Sequence, residues 1–74
     1  MMVGTFYRSP SPGSLPFVEV GDSIEQGAPV CILEAMKLMN EIDMPESGVI
    51  RAVVAEDASP VDYGAVLFYY EPIG

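Results

Sequence analysis

The stretch "CILEAMKLMNEIDMP", residues 31 to 45, contains the only lysine of the chain, Lys37, set between methionines near the middle of the sequence. Composition alone tempts a helix here, because Leu, Glu, Ala, Met and Lys all favour one. The segment is short, however, and sits among runs rich in Val, Ile, Phe and Tyr: "MVGTFY", "PFVEV", "APVCILEAM", "GVIRAVVA" and "GAVLFYYE". Short apolar runs at close spacing, broken by glycine and proline, predict an all-β sandwich or barrel. Residues of about 30 to 43 therefore form a hairpin in this reading, with Met36 and Lys37 at its tip.

An internal repeat supports that placement. Laying "SIEQGAPVCILE" (23 to 34) over "PVDYGAVLFYYE" (60 to 71) aligns Ile24 with Val61, Glu25 with Asp62, Gly27-Ala28 with Gly64-Ala65 and Glu34 with Glu71, at an offset of 37. Earlier in each half, "VGTFYR" (3 to 8) matches "SGVIRA" (47 to 52), Gly4 on Gly48, at an offset of 44. The halves look like two copies of one β unit, the first carrying about seven extra residues. The foreign composition of "SPSPGSLP", residues 9 to 16, locates them. Proline lacks the donor a sheet interior needs and glycine weakens strands, so this segment protrudes as a loop. Its prolines make it stiffer than a Gly/Ser linker.

Bulk properties narrow the function. At 74 residues the chain makes one small domain with a thin core, and half its residues are apolar, which suits a folded globule. The net charge of −8 repels phosphate backbones and anionic headgroups, so neither nucleic acid nor a membrane surface is expected as a partner. No apolar run approaches the ~20 residues that span a bilayer, and no charged segment followed by an apolar one opens the chain to suggest secretion. Cys31 cannot form an internal disulfide and lies in the apolar run "PVCIL", which marks it as a core residue in a reducing compartment. Without histidine or a cysteine pair, neither a hydrolytic triad nor a transition-metal centre has its ligands.

That leaves the lysine. Two-residue hairpin turns usually place Asn-Gly or Gly-X at central positions of positive φ; here Met36 and Lys37 stand there, and such a clash of local preference with placement is commoner at functional sites. The turn pairs Ala35 with Leu38 and Glu34 with Met39. A lysine in solvent has a pKa near 10.4 and nothing at a hairpin tip to lower it. Lys37 is thus a better substrate for modification than a catalyst, and the methionines beside it suit a partner that makes adaptable apolar contacts.

"EAMKLMNEI" resembles the attachment motif of biotinyl domains, Ala-Met-Lys-Met/Leu-Met, and the resemblance covers essentially the whole chain. "VGTFYRSPSPG" further resembles the biotin carboxyl carrier protein family of acetyl-CoA carboxylase, whose domain bears a "thumb" between its first strands. The resemblance implies a flattened eight-stranded antiparallel barrel or sandwich with pseudo-twofold symmetry, the biotinyl/lipoyl type, in one domain over 1–74 with its thumb at about 9–16. It implies covalent biotin on Lys37, with Ala35, Met36, Leu38 and Met39 forming the tip, Glu34 in the neighbourhood recognised by biotin protein ligase, and the Ser9 hydroxyl beside the ureido group where many bacterial members have Thr. It implies a non-catalytic shuttle: a biotin carboxylase loads the ureido nitrogen from ATP and bicarbonate, and a carboxyltransferase passes the carboxyl group to acetyl-CoA for fatty acid synthesis, in bacterial cytoplasm or plastid stroma. The long N-terminal region and Pro/Ala-rich linker of full carriers are missing, which implies an excised C-terminal domain. Lipoyl domains share the fold but usually read Asp-Lys-Ala at the tip, and biotinyl domains of other carboxylases generally lack the thumb. An unmodified β-barrel adaptor that binds peptides at a sheet edge is the alternative from another class.

Overall fold

The computed structural model describes residues 1–73; Gly74, the last residue of the single domain expected from the sequence, lies outside them. Among the described residues seven strands run in order: β1 (Met2–Tyr7), β2 (Ser23–Ile24), β3 (Pro29–Ala35), β4 (Leu38–Asp43), β5 (Gly48–Val53), β6 (Ser59–Asp62) and β7 (Phe68–Pro72). They build two antiparallel sheets, ordered β4-β3-β1-β6 and β2-β5-β7, in a flattened body of 36 × 27 × 19 Å. This is the all-β antiparallel architecture of the biotinyl/lipoyl type. No helix occurs among the described residues, so the β-rich surroundings overrode the helical propensity of "LEAMKLMNEI".

The repeat read from the sequence reappears as strand register. In the first half β1 pairs with β3 through Thr5–Glu34 and Phe6–Leu33; in the second β5 pairs with β7 through Val49–Glu71 and Ile50–Tyr70. Offsets of 44 on one strand and 37 on the other convert the first set into the second. The exchange between halves obeys the same offsets: Gly4–Val61 and Thr5–Pro60 in the β1–β6 pair become Gly48–Ile24 and Val49–Ser23 in the β5–β2 pair. Turns repeat as well. Gly27 and Gly64 both hold positive φ, at 87° and 85°, and the amides of Ala28 and Ala65 donate to the carbonyls of Glu25 and Asp62.

Each half fills the centre with matched residues. Phe6 and its counterpart Ile50 are fully buried, as is Cys31, with Val18, Val30, Met44 and Val61 packed around them and Phe68 edge-on to Phe6 at 5.7 Å. Cys31 is the core residue its apolar run predicts; burial pushes its thiol up to about 11.

Two features of the strand pattern among the described residues stand out. The β-like run "PFVEV" is not a strand, because its backbone is engaged locally. The Phe17 amide donates to the Arg8 carbonyl, the Val18 carbonyl accepts the Arg8 guanidinium, and the Glu19 amide donates to Asp22. Strand β4 has no counterpart in the first half among the described residues. The outer edge of β7 consequently has no strand partner among the described residues.

The matched glycines mark the tightest points of the repeat. A Cβ on Gly4 would lie 2.5 Å from the Glu34 carbonyl oxygen, and one on Gly48 would lie 2.8 Å from that of Glu71 and 2.7 Å from the Tyr70 ring. Backbone must move to admit either, at a cost of about 1–3 kcal/mol or more. Gly4→Ala and Gly48→Ala should each lower the urea midpoint by a similar amount; an unchanged midpoint for either would show that the close approach carries no weight.

Candidate functional site

The β3–β4 ladder is continuous to its end: Leu33–Asn40, Glu34–Met39 and Ala35–Leu38 pair in succession. Only Met36 and Lys37 remain to reverse the chain, and both take positive φ, 52° and 65°. Left-handed backbone costs a residue with a Cβ about 1–2 kcal/mol, so the turn is held by the ladder behind it and not by its own preference. Its product is exposure. Met36 is 94% exposed, Leu38 64% and Met39 54%, and Lys37 stands in solvent at the apex.

Electrostatics single out the lysine further. Arg8 pairs with Glu19 at 2.9 Å and Arg51 with Glu71 at 3.0 Å. Among the described residues Lys37 is the one cationic side chain with no carboxylate partner. An amine free of a charged partner and clear of the sheets is open to reagents and partners from solvent.

Beside the hairpin opens a cavity of about 400 Å³, lined by Tyr7, residues 9–14, Glu34, Met39 and the Asp57–Ala58 turn. The 9–16 loop forms its outer wall. Within that wall the Ser9 hydroxyl donates to the Ser11 carbonyl, the Ser11 and Ser14 hydroxyls share a 2.7 Å hydrogen bond, and the Ser14 amide donates to the Ser11 carbonyl. With its proton so used, the Ser9 oxygen keeps only acceptor capacity toward the cavity. The structure thus gathers Ser9, Glu34 and Met39 on one cavity and sets Met36, Lys37 and Leu38 at the tip beyond it; Ala35 is half-buried at the base of the turn.

Tyr7, Asp57 and Ala58 also line this space, and the reading of the sequence had singled out none of them. Tyr7 had a signal. In the repeat alignment it falls on Arg51, while Glu34 falls on Glu71, so the ion pair Arg51–Glu71 is replaced here by a phenol donating to a carboxylate at 3.3 Å. Among the described residues no cationic side chain stands opposite the Glu34 carboxylate. Partial burial foremost, and then the adjacent Glu34 charge, raise the Tyr7 phenol above its ordinary value. Asp57 and Ala58 lie on the turn between β5 and β6, where only the folded chain brings them near the 9–16 loop.

A family described as "biotin-requiring enzyme" matches residues 1–69. The chain belongs to this family. It is 56% identical over 71 residues to "Biotin carboxyl carrier protein of acetyl-CoA carboxylase 2, chloroplastic" of Arabidopsis thaliana, covering 96% of this chain and 28% of the relative. The "Biotin carboxyl carrier protein of acetyl-CoA carboxylase" of Nostoc is 54% identical over 96% of this chain and 39% of its own length, and that of Haemophilus influenzae 49% over 95% and 45%. The chain therefore spans less than half the length of these relatives.

The Tyr7–Glu34 bond has a defined pH window. Because the folded phenol is raised, its contribution is fully present below the ordinary value of 10.0 and is lost as pH rises through the folded value. Glu34→Gln should bring the Tyr7 titration, followed by the ¹³Cζ shift, back toward the ordinary value. An identical midpoint in both proteins would rule out the carboxylate as a cause.

Proposed function

We propose that Lys37 carries biotin through an amide and that the chain is the biotinyl domain of a biotin carboxyl carrier protein of acetyl-CoA carboxylase. One observation carries this reading: the only lysine stands unpaired at the apex of a hairpin whose ladder forces two non-glycine residues into left-handed backbone. Membership of a biotin-requiring family and the names of the relatives support biotin as the acyl group on such an amine. The residues present fit it. A primary amine is the acceptor that biotinyl-adenylate needs, and the neighbouring cavity offers apolar surface from Met39 and the loop prolines together with the Ser9 and Glu34 oxygens as acceptors for ureido N–H groups.

When attached, biotin supplies a ureido nitrogen that takes up and releases a carboxyl group, the chemistry being the cofactor's own. The protein supplies position. The rigid turn keeps the amide nitrogen clear of both sheets, so the arm can enter a partner's active site, and tethering raises the arm's effective concentration there. Met36, Leu38 and Met39 give biotin protein ligase an adaptable apolar contact around the amine. Acylation removes one positive charge and takes the chain from −8 to −9. The partners in this reading are the ligase, a biotin carboxylase and a carboxyltransferase; the domain catalyses nothing itself. Its residues 1–74 act as one unit with 9–16 as the thumb, and the compartment in this reading is bacterial cytoplasm or plastid stroma, which the chloroplastic and bacterial origins of the relatives support.

Incubation with biotin protein ligase, biotin and ATP should raise the intact mass by one biotinyl group, and Lys37→Arg should stay unmodified. An unchanged wild-type mass, or lipoylation under the corresponding lipoyl conditions, would overturn the assignment.

A further inference from the structure

Arg8 stands where the two ends of the 9–16 loop meet the body. Its carbonyl accepts the Phe17 amide at 2.8 Å, closing the loop at its base. Its guanidinium donates from Nη2 to the Val18 carbonyl at 3.0 Å and to Glu19 Oε1 at 2.9 Å, gripping the returning leg. Its amide donates to Asp57 Oδ1 at 2.9 Å, tying the loop's base to the turn that forms the cavity's opposite wall. The returning leg is itself fixed: the Glu19 amide donates to Asp22, and the 21–22 backbone exchanges hydrogen bonds with Ile50 of β5. Four contacts from one residue therefore join the loop, its return and the 57–58 turn.

Two further observations separate this from an ordinary surface ion pair. Arg8 Nε is buried without a hydrogen-bond partner, so the guanidinium is held in place by contacts made elsewhere along it. In the repeat alignment Arg8 falls on Ala52, and the half containing Ala52 has no extended loop. The arginine occurs in the half that has a loop to hold.

We propose that Arg8 is a positioning residue that sets the angle of the 9–16 loop, and hence the mouth of the cavity beside Lys37, by clamping both legs of the loop to the 57–58 turn. It is not itself part of the cavity lining and does not contact Lys37; its one hydrogen bond to a lining residue is from its backbone amide to Asp57, and its guanidinium acts through the loop. Its relevance to an attached group rests on the biotin reading above; the clamp itself does not.

Hydrogen exchange on the unmodified chain tests the clamp. Arg8→Met keeps the aliphatic stem and removes the guanidinium. The Phe17 and Ser14 amides, bonded to Arg8 and Ser11, should exchange about tenfold or more faster, while Gly27 and Met44, bonded in the body, stay within about twofold. Glu19→Gln, which preserves the bond to the Val18 carbonyl, should fall between the two. Loop amides that keep their wild-type rate, or loop and body amides that loosen together, would overturn the proposal. On biotinylated protein, streptavidin should associate faster with Arg8→Met than with wild type, because the loop no longer shelters the head group; equal rates would overturn the role toward the attached group. Failure of the ligase to modify wild-type Lys37 would sink the biotin reading and leave the exchange result to decide the clamp.

Discussion

The β3–β4 ladder is the constraint on which the tip depends. Its paired residues run to Ala35 and Leu38, leaving two residues to reverse the chain, and sheet twist then demands positive φ at both. Glycine or asparagine would relax into this geometry. Met36 and Lys37 do so at a cost that the ladder offsets, and the consequence is a lysine side chain whose point of departure from the backbone is set by the sheet behind it. A more flexible turn would add backbone disorder to that of the side chain and raise the ordering entropy of each docking event.

The second organising feature is the repeat and the places where it fails. Matched registers, matched buried pairs and matched left-handed turns build a body in which either half could serve. The halves diverge around the cavity. Arg51, which pairs with Glu71, is replaced by Tyr7, so that Glu34 meets a phenol in place of a cation; Ala52 is replaced by Arg8; and the short turn after β5 is replaced by the loop that Arg8 grips. Ala58 adds a further asymmetry, holding a left-handed conformation at φ 61° where the first half uses Gly21. Symmetry supplies the stability of the fold, and broken symmetry supplies the features of one end.

Much of this was legible in the sequence because turn chemistry and repeats are local signals. Gly27-Ala28 against Gly64-Ala65 gave the offset that the strands obey, and the poor fit of Met-Lys to a tight turn marked the apex. Composition misled at "PFVEV", whose β-favouring side chains say nothing of a backbone already engaged by Arg8, Phe17 and Asp22. The cavity wall from Asp57 and Ala58 was illegible for another reason. It arises from a contact between residues 49 positions apart, Arg8 and Asp57, which no periodicity encodes.

The central claim is that the ladder imposes left-handed backbone on both Met36 and Lys37 in the unmodified chain, so that the amine is presented before any partner arrives. Residues at positive φ bring their own amide and α protons close together, which gives a strong intraresidue NOE. Nuclear magnetic resonance of the unmodified protein should show that NOE at Met36 and at Lys37, as strong as at Gly27 and Gly64, with the cross-strand contacts of Glu34–Met39 intact. Weak intraresidue NOEs at the two positions beside an intact ladder would contradict the account, because the turn would then be ordered in another conformation or not ordered by the sheet at all.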